Sequence, residues 1–375
     1  MHLYIHIPFC ESKCHYCAFT SLKKHDYENR YFEALYEDIS FHLQKLNIKK
    51  NSIKTLFIGG GTPSAVSAKN FEMILTLLEP FLSKNIEFSS EANPNSADIE
   101  WLKAMKNLGL NRISFGAQSF HPKKLEFLGR IHDQKMIFKA LENVKKLGFK
   151  KINLDLIYDT KLDDKKMLEF ELEQLKQIKN LITHLSAYNL TIEPLSAFAK
   201  KEHFKKNAPY LMKFFIQELQ NLGFLQYEIS NFAKNNAQIC KHNLAYWKGL
   251  DYLGCGLSAV SCYKNERFYT AKNLKSYLQN PIFRDVEKLN QEDLNLEHLF
   301  LGLRSIVGIK ECKLSKIQKE KANLLVREKK LKFEKGRYYN LNFLISDELA
   351  LYLSLSPIRL RRRRLKCGFS WSSTH

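Results

Sequence analysis

Short apolar runs alternate with longer amphipathic segments between residues 3 and 230, and this alternation is the strongest constraint on the fold. The apolar runs predict buried strands, and the segments between them repeat apolar residues with the period of a helix. Such an order is typical of βα units around a parallel sheet. Strands are predicted at residues 3–7, 53–58, 86–91, 112–116, 152–157 and 184–190, and a final short strand is predicted at 226–230. So many units predict a partly or fully closed barrel, with its chemistry at the carboxyl ends of the strands.

The pattern changes after about Pro281. Helices are predicted at 294–303, 314–331 and 345–355, and a hairpin with its turn at Lys335-Gly336 precedes the last of them. These elements predict a small, winged-helix-like domain. The predicted units are a barrel core at 1–235, a connecting segment at 236–285, the C-terminal domain at 286–356 and a basic tail at 357–375 that we expect to be disordered.

The chain carries 59 Lys and Arg against 39 Asp and Glu, a net charge of +20. A basic chain favours anionic partners, among them nucleic acid, anionic lipid and carboxylate-rich small molecules such as porphyrins. The lysines are scattered over the helical segments, which is typical of solvated faces. Nucleic acid is therefore not expected as a partner, whereas peripheral membrane contact stays open.

The eight cysteines do not form the pattern of a disulfide framework, since three cluster near the N-terminus and the others are dispersed. This usage fits a reducing compartment. No basic segment followed by an apolar one marks a signal peptide, and no run approaches the roughly 18 apolar residues of a membrane span. We expect a cytoplasmic protein.

Cys10, Cys14 and Cys17 follow the first predicted strand, with three and then two residues between them. Soft thiolates select zinc or iron–sulfur clusters. Structural zinc usually takes four ligands, and nothing nearby completes such a set, since the next cysteine is Cys240. Three cysteines suit a four-iron cluster that leaves one iron open to a small molecule. A zinc knuckle and three unrelated cysteines are the alternatives.

The C-x3-C-x2-C spacing resembles the signature of the radical S-adenosylmethionine (SAM) enzymes. The preceding Tyr4-Ile-His-Ile-Pro-Phe-Cys10 is similar to their coproporphyrinogen III oxidase-like family. The resemblance covers about residues 3–350. It implies a [4Fe–4S] cluster on Cys10, Cys14 and Cys17, with SAM on the open iron. The implied fold class is α/β, a partial (β/α)6-type parallel barrel with a small C-terminal α+β, winged-helix-like domain.

Several polar and glycine residues match the SAM contacts of that family. Residues 59–64, Gly-Gly-Gly-Thr-Pro-Ser, resemble the element that holds the methionyl end of SAM. The resemblance assigns SAM binding to Tyr4, Phe19, Gly60, Gly61, Thr62, Glu91, Gln118, Arg130, Asp155 and Thr191. Asp155 lies inside an apolar run, where a carboxylate is costly unless it is paired. One departure from the family affects the loop after the fifth predicted strand and its ligand contacts. The family has Tyr-Gly-Leu-Pro there, whereas this chain has Tyr158-Asp-Thr-Lys161.

A second motif, His242-Asn-Leu-Ala-Tyr246-Trp247, places a histidine beside two large aromatic residues. Such a set can bind a flat conjugated ring and its iron. A core histidine near a tryptophan is the alternative. The motif is similar to the HNxxYW motif of the heme chaperones in this family, and that resemblance implies that His242 is involved with heme. Cys240 is not followed by proline, so we interpret it as structural.

Two features separate the branches of the family. The decarboxylating oxidases carry an extra cysteine where this chain has Phe19, and they have tens of residues before the motif, whereas nine precede Cys10 here. The resemblance therefore implies a heme chaperone that binds the cluster, SAM and heme and transfers heme to a respiratory acceptor protein. Whether it is also an enzyme stays open, and no catalytic residue is assigned. The alternatives are an oxygen-independent coproporphyrinogen III oxidase and, more remotely, a radical enzyme with another substrate.

Overall fold

A computed structural model of the chain describes residues 1–23 and 25–354. The predicted tail at 357–375 and the last two residues of the predicted C-terminal domain lie outside that range. Within it, no helix combines the length and the apolar character that crossing a bilayer requires.

Six parallel strands form the centre of the larger sheet, and each pairs with the next in chain order. They are β1 (His2–Ile7), β2 (Ile53–Gly60), β3 (Leu82–Ala92), β4 (Arg112–Gln118), β5 (Lys151–Tyr158) and β6 (His184–Asn189). The side chains of Leu3, Ile5 and Ile7 in β1 are fully buried. Nearly continuous burial of this kind is typical of parallel strands that are covered on both faces. The predicted α/β fold with a partial parallel barrel is confirmed.

Helices connect these strands, as the sequence predicts. They are α1 (Glu28–Lys45), α2 (Asn70–Leu78), α3 (Ile99–Asn107), α4 (Pro122–Leu128), α5 (Gln134–Lys146) and α6 (Lys165–Ile178), and α7 (Pro209–Asn221) follows β6. Asp98, Asp133 and Asp164 cap α3, α5 and α6, since each side chain accepts a hydrogen bond from a backbone N–H in the first turn. Such caps satisfy backbone donors that have no partner inside the helix, and so fix where these helices begin.

The sheet continues beyond the six strands on both sides. Its further elements are β7 (Leu225–Gln226), β8 (Asn231–Ala233), α8 (Lys241–Trp247), β9 (Tyr252–Cys255), β10 (Val260–Tyr263), β11 (Glu266–Tyr269), α9 (Leu274–Gln279) and β12 (Asp285–Lys288). The strand order is β12-β11-β10-β9-β1-β2-β3-β4-β5-β6-β8-β7. The β1 and β6 strands therefore do not pair, and the barrel is open. The single strand expected at 226–230 is wrong, because two short antiparallel strands flank that segment.

The C-terminal elements form a second, three-stranded sheet with its own hydrophobic cluster. They are α10 (Gln291–Leu303), β13 (Ile309–Lys310), α11 (Lys316–Arg327), β14 (Leu331–Glu334), β15 (Arg337–Asn340) and α12 (Ser346–Leu353). Lys335 and Gly336 join β14 to β15, both with positive φ. This two-residue connection is the favoured hairpin turn, as predicted. Leu303, Ile309 and Tyr338 are buried in the cluster. The helices, hairpin and final helix match the predicted winged-helix-like pattern.

Candidate functional site

One pocket lies at the carboxyl ends of β1 to β5 and brings together most of the residues assigned from the sequence. Its lining includes Cys10, Cys14, Cys17, Phe19, Gly60, Gly61, Thr62, Glu91, Gln118, Arg130 and Asp155. These residues are far apart in the sequence and meet because parallel strands present their carboxyl ends at the same edge of the sheet. The structure does not place Tyr4, Thr191 or His242 among the lining residues of this pocket.

The cysteine loop follows β1, and backbone contacts hold it in place. The N–H of Cys10 donates to the carbonyl of Leu22 at 2.9 Å. In the middle of the loop the N–H of His15 donates to the carbonyl of Leu128 at 3.0 Å, and the carbonyl of His15 accepts from the N–H of Phe198 at 3.2 Å. The His15 ring Nδ1 lies 2.9 Å from the carbonyl oxygen of Phe127. The loop is thus attached to α4 and to the segment after β6.

The three cysteines of this loop are free thiols that open on the same pocket. Burial raises the pKa of Cys10, and it raises the pKa of Cys17 to about 11. A metal ligand must lose its proton, and the burial of Cys10 and Cys17 opposes that loss until a metal centre is bound. Among the residues described, no group of three or more His, Cys, Asp or Glu is placed to hold a single metal ion. A set of three thiols around one pocket fits the wider iron–sulfur cluster.

Arg130 places a positive charge beside the cysteine loop. Its Nη1 donates to the Sγ of Cys14 at 3.2 Å, and its Nη2 donates to Asn93 Oδ1 and to the Gly116 carbonyl, both at 2.6 Å. A guanidinium offers several donors in a fixed plane, so a single side chain holds three partners here. Arg130 is therefore fixed beside the sulfur atoms.

The glycine turn after β2 lets the backbone approach its neighbours closely. Gly60 has φ +113°, and a Cβ added there would lie 2.5 Å from the ring of His6. A Cβ on Gly61 would lie 2.7 Å from the carbonyl oxygen of Phe9. The next residue, Thr62, donates its hydroxyl to the Sγ of Cys10 at 3.5 Å. The turn is thus packed directly against the start of the cysteine loop.

Two further side chains at strand ends face the pocket. Glu91 at the end of β3 accepts a hydrogen bond from the N–H of Gly60 at 3.0 Å. Gln118 at the end of β4 has φ +65°, which is uncommon for any residue but glycine. Its Oε1 is buried and has no hydrogen-bond partner within the described part of the chain. A buried acceptor without a partner in a pocket, on a strained backbone, is a feature of ligand sites. It fits a ligand that brings hydrogen-bond donors, as the amino group and ribose of SAM would.

Asp155 lies inside β5, and both oxygens of its carboxylate accept hydrogen bonds, as a buried position requires. Its oxygens accept from Ser114 Oγ at 3.0 Å and from Asn153 Nδ2 at 2.7 Å. Burial nevertheless raises the pKa of Asp155 to about 6. At neutral pH most of this carboxyl is therefore ionised, and Asp155 can accept a further donor from within the pocket that it lines.

Tyr4 and Thr191 lie away from the pocket lining. The Tyr4 hydroxyl is 3.1 Å from Nδ1 of His6, and its ring stacks on Phe57 with 6.2 Å between centroids. Thr191 follows β6, and its hydroxyl donates to the carbonyl of Asn189 at 3.5 Å. Their assignment to SAM stays a prediction.

His242 lies in α8 and is buried, with only 1% of its surface exposed. Its Nδ1 is 2.7 Å from the Thr55 hydroxyl, and its Nε2 is 2.8 Å from the Tyr246 hydroxyl. Its backbone N–H donates to Glu87 at 3.1 Å. Burial lowers the pKa of this imidazole well below its usual value and so favours the uncharged ring. Both ring nitrogens are thus in contact with a hydroxyl, and a role with heme stays a prediction.

The departure after β5 forms a loop that is held by its own contacts. Asp159 has φ +65°, accepts from the N–H of Ala208 at 3.3 Å and lies 3.8 Å from Lys205 Nζ. Lys161 Nζ lies 4.1 Å from the centre of the Phe204 ring. None of these residues lines the cysteine pocket.

Sequence reasoning missed Asn93, Tyr16 and Lys13, which also line the pocket. Asn93 matters most, because its amide donates to the Thr62 hydroxyl at 3.1 Å while its oxygen accepts from Arg130. Its position two residues after Glu91, just past the end of β3, was the available signal. Tyr16 and Lys13 lie within the cysteine motif itself, between Cys10 and Cys17.

Comparison with known proteins agrees with this geometry. The sequence model of the radical SAM superfamily matches residues 4–170. The chain is 32% identical over 368 residues to the heme chaperone HemW of Bacillus subtilis, which covers 94% of each protein. It is 37% identical over 322 residues to the heme chaperone HemW of Haemophilus influenzae, covering 82% of this chain and 83% of that protein.

A solved structure supports the fold. The coproporphyrinogen III oxidase HemN of Escherichia coli, described as a radical SAM enzyme, matches with a TM-score of 0.78 and 22% identity, covering 94% of this chain and 89% of that one. Radical SAM membership implies a [4Fe–4S] cluster and SAM, which the thiols, glycine turn and polar residues of the pocket fit. The chain belongs to the radical SAM superfamily and, within it, to the heme chaperone branch of the coproporphyrinogen III oxidase-like family.

Proposed function

We propose that this protein is a heme chaperone that binds a [4Fe–4S] cluster, SAM and heme and passes heme to an acceptor protein. The observation that carries the proposal is the match to a heme chaperone over 94% of both chains. Phe19, where the oxidases carry a cysteine, lies in the cysteine pocket and supports this branch.

In this proposal the residues of the pocket have two roles, and Arg130 takes part in both. Cys10, Cys14 and Cys17 hold the cluster, and Arg130 places a positive charge beside it. SAM lies against the glycine turn and the polar strand ends, where the residues that contact it are Phe19, Gly60, Gly61, Thr62, Glu91, Gln118, Arg130 and Asp155. When bound, the cluster and SAM supply one-electron chemistry, while the protein orients them and keeps water out. Tyr4 and Thr191 lie outside the lining of the cysteine pocket and are also assigned to SAM binding in this proposal.

The proposed partners are heme and a heme-accepting respiratory protein. A net charge of +20 suits an anionic ligand such as heme with its two propionates, and peripheral membrane contact is compatible with the same charge. The seven cysteines of the described range are free thiols, which supports the proposed cytoplasmic location. His242 is involved with heme through Tyr246, whose hydroxyl it contacts.

The test is a heme titration of anaerobically reconstituted protein, followed by visible absorbance, with His242→Ala measured beside the wild type. Saturable binding to the wild type supports the chaperone, and weaker binding to the variant supports the role of His242. The same preparation is assayed for conversion of coproporphyrinogen III with SAM and a reductant. Turnover in that assay would contradict the proposal and show that the protein is a coproporphyrinogen III oxidase.

A further inference from the structure

A second cleft lies between α8 and α10, outside the cysteine pocket, and we call it the α8–α10 cleft. Its volume is about 470 Å³. Pockets of roughly 300–1,000 Å³ are the usual size for organic ligands and cofactors. The C-terminal elements supply one side of it and the extended edge of the larger sheet supplies the other. The established family motifs of the cysteine pocket do not use this space.

One wall of the α8–α10 cleft is aromatic. It is formed by Tyr246 and Trp247 at the end of α8 and by Tyr252 in β9. The rings of Tyr246 and Tyr252 meet edge to face, with 4.6 Å between centroids. Leu301 of α10 adds an aliphatic surface on the other side. Aromatic and aliphatic side chains facing each other suit a flat conjugated ring.

The rim of the same cleft is basic. Lys310, Lys313 and Arg337 line it from the C-terminal elements, and Lys248 lines it from the end of α8. The two lysines of the C-terminal side are exposed. The remaining cation, Arg267, is already neutralised by Glu297, whose carboxylate lies 2.6 Å away. An excess of positive charge around an apolar slot suits a ligand with carboxylates at one edge.

The aromatic wall is connected to the predicted heme histidine. His242 contacts the Tyr246 hydroxyl at 2.8 Å, and the two rings meet edge to face at 4.7 Å. His242 does not itself line the cleft. It therefore fixes the orientation of the tyrosine that does, as a positioning residue.

We propose that the α8–α10 cleft is the heme site, with the porphyrin ring against Tyr246 and Trp247 and its propionates on Lys310 and Lys313. This inference rests on the proposed heme-chaperone function. It places heme outside the cysteine pocket, between the sheet and the C-terminal elements.

The test compares heme with heme dimethyl ester, which keeps the ring and iron but lacks the propionate charges. Both are titrated into the reconstituted protein in the same detergent. The variant is Lys310→Gln/Lys313→Gln, and the matched control is Lys139→Gln/Lys275→Gln, since all four lysines are exposed and both variants lose two charges. Exposed ion pairs are weak, so we expect only a three- to tenfold loss of heme affinity in the cleft variant, about 0.6–1.4 kcal/mol for the two lysines together. The control should bind heme as the wild type does.

The ester decides the interpretation. If the lysines contact the propionates, the ester binds the wild type and the cleft variant equally. An equal loss for both ligands, or no loss for heme, would overturn the assignment to the cleft while leaving the chaperone intact. Absence of saturable heme binding by the wild type is a different result, because it removes the proposed function itself.

Discussion

Arg130 donates a hydrogen bond to the sulfur of Cys14 at 3.2 Å, which links the segment after α4 to the loop after β1. The same guanidinium holds Asn93 and the backbone of Gly116. One side chain therefore connects the predicted cluster ligands with the ends of β3 and β4. Hydrogen bonds and charges next to the sulfur atoms tune the reduction potential of a cluster.

Replacing Arg130 should therefore make the cluster harder to reduce. In Arg130→Gln the sulfur loses an adjacent positive charge, and the more negative, reduced form loses stabilisation. A hydrogen bond to a charged group contributes about 1.5 kcal/mol or more, which corresponds to on the order of 60 mV for one electron. Because the interaction is present in both redox states and only its difference shifts the potential, we expect the potential to become more negative by up to about that amount in an anaerobic redox titration. Arg327→Gln, an exposed arginine in α11, is the control, and an unchanged potential in Arg130→Gln would contradict the role.

Removing Cys14 should abolish cluster loading, because two thiols cannot hold a four-iron cluster stably. We expect Cys14→Ala to lose most of its iron and its visible absorbance after anaerobic reconstitution. Cys312→Ala is the matched control, since Cys312 is an exposed free thiol outside the motif. Iron content equal to that of the wild type in Cys14→Ala would refute the ligand assignment.

Gly60 allows a direct test of the glycine turn. Alanine there adds a positive-φ cost of about 1–2 kcal/mol and a clash with His6 of about 1–3 kcal/mol. The His6 ring cannot easily move, because its Nε2 lies 3.0 Å from the Thr20 carbonyl. Gly223→Ala measures the positive-φ cost alone, since Gly223 has φ +91° and a Cβ there would meet nothing within 4 Å. We expect Gly60→Ala to reduce the free energy of unfolding more than Gly223→Ala does, and to weaken SAM binding, whereas the control keeps it.

Glu228 should make stability depend on pH. Burial raises its pKa from the usual 4.5 to about 7. Between those values the unfolded chain has released the proton while the folded protein keeps it, so the free energy of unfolding falls as pH rises. The two pKa values correspond to about 3 kcal/mol in total.

The measurement is urea unfolding at pH 5 and pH 8. Glu228→Gln cannot ionise, so its stability should fall by about 2–3 kcal/mol less over that interval than the wild type's. Glu142→Gln, an exposed glutamate in α5, should behave as the wild type does. An unchanged pH dependence in Glu228→Gln would mean that this carboxyl is not the titrating group.

The central fold was predictable because its signals are local. Buried parallel strands read as continuous apolar runs, and the aspartate caps mark where helices begin. The edge strands were not predictable in the same way. All four residues of β12 are exposed, so it carries no apolar run, and its strand state depends on pairing with β11. Likewise β9 pairs with β1, a contact between distant parts of the chain that no local pattern encodes.

Some residues of the site were likewise predictable from the sequence and others were not. The cysteine motif and the glycine turn are each a short, continuous stretch of sequence, and together they predicted the pocket. Asn93 was missed because its importance comes from two partners, Thr62 and Arg130, that reach it only in the folded chain. For His242 the reverse holds. Its motif could be recognised from the sequence, but the hydroxyls of Thr55 and Tyr246 that contact its two ring nitrogens are known only from the structure.

The attachment of the cysteine loop through His15 has a consequence for how the protein matures. Hydrogen bonds to Leu128 and Phe198 connect the middle of the loop to α4 and to the segment after β6. Small zinc domains, in contrast, acquire their shape only when the ion arrives. Here the cysteine loop is also attached to the rest of the polypeptide, so its position does not depend on metal ligation alone. Loss of iron should therefore unfold a smaller part of this protein than loss of zinc unfolds in a small zinc domain, as far-UV circular dichroism of the iron-depleted protein would show.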